Sequence, residues 1–144
     1  MCRFVIKFAN VNGSGSASAN QMFAKGIFRS GIPVSPKNIF PSNIQGLPTW
    51  FEIRASEKGY LGRKAGIDFM VAMNPQSYIQ DVAEINPGGY LLYDSSWKRE
   101  FHRKDINIIE FRACFEIARF EQFFGFQFVK YGVEILTFTN TSKW

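Results

Sequence analysis

No aspartate or glutamate precedes Glu52, histidine occurs once, cysteine twice, and no apolar run is long enough to span a membrane. Each shortage removes a class of function. A Rossmann-type dinucleotide site needs an acidic residue about 20 positions beyond its glycines to hold a ribose hydroxyl, and Lys37 occupies that region instead. No Lys-Ser or Lys-Thr pair follows the glycines, so ATP hydrolysis of the P-loop kind has no support. Cys2 and Cys114 make no CxxC or other metal spacing, which argues against an iron-sulfur or zinc site and suits a reducing compartment. A Ser/His/Asp triad would have to use His102, whose charged surroundings read as an exposed loop. With no span of about 18 apolar residues and an N-terminal apolar patch too short for a signal peptide, the chain is expected to be cytoplasmic.

What is present describes one globular domain: 144 residues, 46% apolar and 20% charged. The net charge of +5 is unevenly spread, because residues 1–64 carry nine Lys or Arg against Glu52 and Glu57, leaving +7 there and −2 in the remainder. A basic half attracts a phosphorylated ligand or an acidic subunit surface. No nucleic-acid-binding signature accompanies it, and no nucleic-acid partner is expected.

The organising stretch is FVIKFANVNGSGSASANQMFAKGIFRS, residues 4–30. Phe4, Val5, Ile6 and Phe8, interrupted only by Lys7, suit a mostly buried strand. Gly13 and Gly15 allow positive φ and a close backbone approach by a ligand, and Ser16 or Ser18 is placed to cap the helix that follows. Met22, Phe23, Ile27 and Phe28 recur at helical spacing until Gly31 and Pro33 end the helix. Strand, glycine turn and helix form a Rossmann-like βα unit, whose helix N-terminus presents amides and partial positive charge to an anion. Ser18 stands where the fingerprint wants its third glycine, so the glycines serve either a phosphate or only a tight turn.

Three prolines in IPVSPKNIFPSN exclude a helix and leave a short strand at residues 32–34 followed by a rigid loop. TWFEIRA, residues 49–55, alternates as a strand, with Trp50, Glu52 and Arg54 on one face and Phe51 and Ile53 on the other. Trp50 either packs against a neighbouring element or offers a partner surface, and Arg63 and Lys64 either meet a phosphate or face water. IDFMVAM, residues 67–73, reads as a central strand of a parallel sheet. A helix through Tyr78, Ile79, Val82 and Ile85 follows, stopped by Asn86-Pro87-Gly88-Gly89, and Tyr90 to Tyr93 form the next strand. The fold class is therefore α/β with a mostly parallel sheet. Ligands of such sheets sit outside the carboxyl ends of the strands, so Asn74 and Asp94, Ser95 and Ser96 share an expected site edge with the glycine turn.

FVIKFANVNGSGSASAN, GIPVSPKNIFPSNIQGLPTWFEIRASEKGYLGR, DFMVAMNPQ and PGGYLLYDSS together resemble the gamma domain of the 2-oxoacid:ferredoxin oxidoreductases (pyruvate/ketoisovalerate oxidoreductase catalytic domain). They are most similar to the N-terminal part of fused alpha subunits of the 2-oxoglutarate type. The resemblance covers roughly residues 3–104. It implies a three-layer α/β/α domain within an enzyme that converts a 2-oxoacid such as 2-oxoglutarate or pyruvate to an acyl-coenzyme A. It further implies thiamine diphosphate and iron-sulfur clusters held by partner alpha and beta subunits or domains, ferredoxin as electron acceptor, and a role for this domain in receiving coenzyme A. No catalytic or metal-binding residue is assigned to this chain, which is not expected to turn over alone. Gly13, Ser14, Gly15 and Ser16, supported by Lys37, are the candidate coenzyme A contacts. Many gamma domains carry Arg-Gly-Gly where this chain has Gln45-Gly46-Leu47, so no arginine role is transferred.

Residues 1–110 are read as an incomplete gamma-type domain and residues 111–144 as a divergent, truncated or frameshifted tail, because nine of the sixteen phenylalanines lie from Phe101 onward. The competing reading is a non-catalytic interaction fragment that docks through Trp50 and the loop at residues 40–47.

Overall fold

The computed structural model describes residues 3–41, 46–63 and 65–111; the tail lies outside them. The elements run β1 (Arg3–Val11), α1 (Ser16–Arg29), β2 (Val34–Ile39), β3 (Pro48–Ser56), β4 (Ile67–Ala72), α2 (Tyr78–Ala83), β5 (Ile85–Asp94) and β6 (Asn107–Phe111). They form one sheet in the order β2-β3-β1-β4-β5-β6. The β1-β4, β4-β5 and β5-β6 pairings are parallel, and β3 runs antiparallel to both β1 and β2. This is the expected mostly parallel α/β sheet, with β4 central between two parallel neighbours.

Alternation along the strands sends two different side-chain sets to the two faces. Phe4, Ile6 and Phe8 of β1 join Phe51, Ile53 and Ala55 of β3, Phe69 and Val71 of β4, and Ala24 and Ile27 of α1 in one core. Val5, Met70, Ala72, Leu91 and Tyr93 pack with Tyr78 on the α2 side. One helix on each face gives the three-layer α/β/α arrangement.

Three local expectations are corrected. β2 runs to Ile39 instead of stopping at Val34. Ser56 N donates to Pro33 O at 3.0 Å, so the alternate residues Ser35 and Lys37 face β3 for bonding and Pro36 turns its missing N–H to the free edge, where proline is tolerated. Along α1 the buried stripe is Asn20, Ala24 and Ile27, with Phe23 beside it; Met22 and Phe28 are 69% and 63% exposed. Positions 20, 23, 24 and 27 are one helical face, whereas 22 and 28 lie off it. Finally, Ile85 and Asn86-Pro87-Gly88-Gly89 belong to β5, not to the end of α2. A register shift between Ile67 and Phe69 absorbs the extra residues. Asn86 Nδ2 holds it by donating to Asp68 Oδ1 at 2.8 Å, and Asn107 Nδ2 donates to Gly88 O at 3.0 Å.

An extended strap follows β5. Phe101 packs edge-on against Tyr93, with ring centroids 5.0 Å apart, and the Arg103 guanidinium donates to Val82 O near the end of α2 and to Ile85 O at the start of β5, at 2.9 and 2.7 Å. His102 is exposed, its side chain 87% accessible.

Candidate functional site

The glycine turn leaves β1 at its carboxyl end. Gly13 and Gly15 have φ of 87° and 76°, a region that side chains other than glycine enter at a cost. The turn is tied back to the β2–β3 connection by Asn12 N donating to Leu47 O at 2.9 Å and Gly46 N to Asn12 O at 3.2 Å. Gly15, not Ser16 or Ser18, is the N-cap of α1, and among the described residues no side chain makes a capping hydrogen bond there. Ser14 Oγ donates to Ser16 Oγ at 3.0 Å rather than capping. With no acidic residue in the first turn, the positive end of the helix is open to an outside acceptor.

The topology places that helix end where the chain diverges. β1 and β4 lie side by side and parallel, yet the chain leaves β1 through α1 on one face and β4 toward α2 on the other. Strands that diverge in this way leave a crevice beyond their carboxyl ends, the usual ligand position of open α/β sheets. Asn74 builds its floor: 1% exposed, it donates from Nδ2 to Asn10 O at 3.1 Å and accepts from Gln76 N at 2.9 Å. Met73 N donating to Ala9 O at 2.9 Å extends the ladder to the same point.

The other expected residues are less close. Asp94 accepts from Ser96 N at 2.9 Å in a turn at the end of β5, one strand beyond β4. Lys37 is not brought to the turn. It pairs with Glu52, which pairs with Lys7, so it stands four residues short of Val11, on the order of 13 Å back from the carboxyl edge at about 3.3 Å per residue. That register also sends it to the α2 side, away from α1.

Sequence reasoning missed a charged cluster on the α2 side. Lys7 is 4% exposed, ion-paired with Glu84, and lies 5.3 Å from the centre of the Trp50 ring. Trp50 Nε1 donates to Asp81 Oδ1 at 2.7 Å, and Ser77 Oγ donates to Asp81 Oδ2 at 2.6 Å. Burial pushes the Asp81 carboxyl up from its ordinary range, against the two hydrogen bonds and Lys7, which hold it down. Arg63 reaches Glu52 at 2.9 Å, and the hydrogen bond and charge of Glu52 raise the guanidinium pKa. Arg63 therefore serves a carboxylate of its own chain, and Trp50 packs instead of standing free. Lys7 interrupting FVIKF was the signal available in the sequence, since a lysine inside a buried strand requires a partner.

Residues 5–129 match the family described as Pyruvate ferredoxin/flavodoxin oxidoreductase. A curated relative, the 2-oxoacid:ferredoxin oxidoreductase 2 subunit alpha of Aeropyrum pernix, is 28% identical over 86 residues, which are 60% of this chain and 13% of that protein. The 2-oxoglutarate:ferredoxin oxidoreductase of Magnetococcus marinus, solved with 2-oxoglutarate, coenzyme A and succinyl-CoA bound, superposes with a TM-score of 0.67 at 23% identity, covering 75% of this chain and 19% of that one. The gamma subunit of a keto/oxoacid ferredoxin oxidoreductase from Geobacter sulfurreducens gives 0.61 at 18% identity, covering 75% of this chain and 60% of that one. The structural likenesses show a shared fold, and the chain spans only a small part of the curated relative. By the match over residues 5–129, the chain belongs to the pyruvate ferredoxin/flavodoxin oxidoreductase family.

Proposed function

We propose that this chain acts as the gamma-type domain of a 2-oxoacid:ferredoxin oxidoreductase, receiving coenzyme A at the crevice between β1 and β4. The observation that carries the reading is the side-chain-uncapped N-terminus of α1 behind two left-handed glycines. A phosphate, or the pantetheine end, of coenzyme A approaches the amides of Gly13, Gly15 and Ser16 and the hydroxyl of Ser14, whose own N–H donates to Val11 O at 3.3 Å; the helix terminus contributes about 0.3–1 kcal/mol to holding an anion. Asn74 keeps the two strand ends in register beneath it. Lys37 stands back from this contact, toward the α2 side.

Coenzyme A supplies the thiol that accepts the acyl group released by decarboxylation of a 2-oxoacid such as 2-oxoglutarate or pyruvate. This chain binds and orients it, while thiamine diphosphate and the iron-sulfur clusters belong to partner alpha and beta subunits or domains that pass electrons to ferredoxin. The setting is cytoplasmic. Among the described residues no helix is long and apolar enough to cross a membrane.

Reconstitution with thiamine-binding subunits of this enzyme class tests the reading. Adding the chain should raise coenzyme A-dependent ferredoxin reduction. Gly15→Val should raise KM for coenzyme A about tenfold, equivalent to about 1.4 kcal/mol, and leave KM for the 2-oxoacid unchanged. Stable association with no effect on coenzyme A kinetics would favour the interaction-fragment reading, which Phe40 and Leu47, 51% and 36% exposed at the β2–β3 connection, support.

A further inference from the structure

At the opposite end of the sheet, the loop between β3 and β4 folds back over the α2 side. Ser35 Oγ donates to Leu61 O at 3.2 Å, Gly59 N donates to Ser56 O at 2.9 Å, and Arg54 Nη1 donates to Gly62 O. These bonds hold Tyr60 beside two guanidinium groups, Arg3 at 4.9 Å and Arg54 at 5.2 Å from the ring centre. Arg3 starts β1 and Arg54 lies near the end of β3; the register places Arg3 opposite Ser56 and Arg54 opposite Val5, on one face.

The charge balance here differs from that of the rest of the face. Lys7 has Glu84 and Arg63 has Glu52. Among the described residues neither Arg3 nor Arg54 is ion-paired. Arg54 is only 9% exposed, and its Nε, shielded from solvent, has no hydrogen-bond partner there. Two guanidiniums stacked on one ring repel each other, and a nearly buried one with donors to spare is costly without an acceptor. A single bridging oxyanion relieves both, because guanidinium forks match the oxygens of phosphate and carboxylate groups.

We propose that Arg3, Arg54 and Tyr60 form an oxyanion-binding site for a phosphate or carboxylate group, separate from the glycine turn and independent of the coenzyme A reading. NMR of the arginine Nε–H groups of the full chain tests it, with titration by inorganic phosphate and separately by acetate, and chloride at matched ionic strength as control. The proposal expects a saturating shift of the Arg54 signal, weakened about tenfold in the Arg3→Gln protein, whose substitution at an exposed position leaves the core intact. Arg54→Lys, which keeps the charge but loses the fork, should also abolish saturation, followed in that protein through the Arg3 Nε–H signal. Saturation by phosphate alone identifies a phosphorylated ligand, and saturation by acetate a carboxylate-bearing one. A response to neither, an equal response to chloride, or an unchanged affinity in the Arg3→Gln protein would overturn the proposal.

Discussion

The two faces of β1 and β3 are made by neighbouring residues and held by different physics. Toward α1, Ile6, Phe8, Phe51 and Ile53 are packed with no charge among them. Toward α2, Lys7, Trp50, Glu52 and Arg54 alternate with those same residues, three of the four at least nine-tenths buried, and meet Glu84, Asp81 and Arg63. The apolar face gains from area removed from water and tolerates no gap. The polar face is indifferent to area but depends on every partner being present. Sequence alternation alone shows that two faces exist; it does not show that the second is as buried as the first.

Phe8→Ala should do the greatest damage, about 3–5 kcal/mol in urea unfolding, because Phe8 is 2% exposed and sits edge-on to Phe23 at 5.7 Å. A loss below about 1 kcal/mol would mean the α1 face is not the main core. Next on the same strand but the opposite face, Lys7→Ala should cost about 2–3 kcal/mol by stranding Glu84 and thinning the contact with Trp50, less than a fully buried pair because the Glu84 side chain is 35% exposed. If Lys7→Met proves as stable as the native protein while Lys7→Ala does not, packing rather than charge holds that face.

Gly89→Ala should cost about 2 kcal/mol. A methyl there would lie 2.7 Å from Ile85 Cγ2, 2.9 Å from Asn86 O and 3.0 Å from Asp68 O, the last two being backbone atoms of the β5 bulge and of the facing β4 that cannot swing aside. Thermal melting checks this, and an unchanged Tm would remove the bulge as an organising feature.

The smallest effect sharpens the comparison most. Because burial raises the Asp81 pKa in the folded chain, the folded state holds its proton to higher pH than the unfolded state. Stability is therefore lost as pH rises from the ordinary carboxylate range through the folded value. Asp81→Asn keeps an acceptor for Trp50 and removes that loss. It should match or exceed the native protein by up to about 1 kcal/mol at neutral pH, with the difference vanishing in acid. A difference that grows in acid would reverse the sign.

The Rossmann-like unit, the central strand and the placement of Phe51 and Ile53 were legible because period-two alternation and a glycine turn are local signals. The full length of β2 is not legible locally, because a proline breaks a strand unless its nitrogen faces a free edge, as Pro36 does. The bulge at Asn86 to Gly89 is not legible locally either: its residues are turn formers, while Asp68 and Asn107, distant in sequence, hold them extended. Of the site, the turn could be read from Gly13 and Gly15. Lys37 could not be placed, since its distance from the turn follows from strand register and not from residue spacing.

Calorimetric titration of coenzyme A into the native chain and the Ser16→Asp protein, alongside their melting temperatures, tests whether the ligand is held at the glycine turn. A carboxylate in the first turn favours α1 through the helix dipole, yet it competes with an anionic ligand for the same amides. A higher Tm and lost coenzyme A binding are expected in the same variant; a higher Tm with unchanged affinity would place coenzyme A somewhere other than the glycine turn.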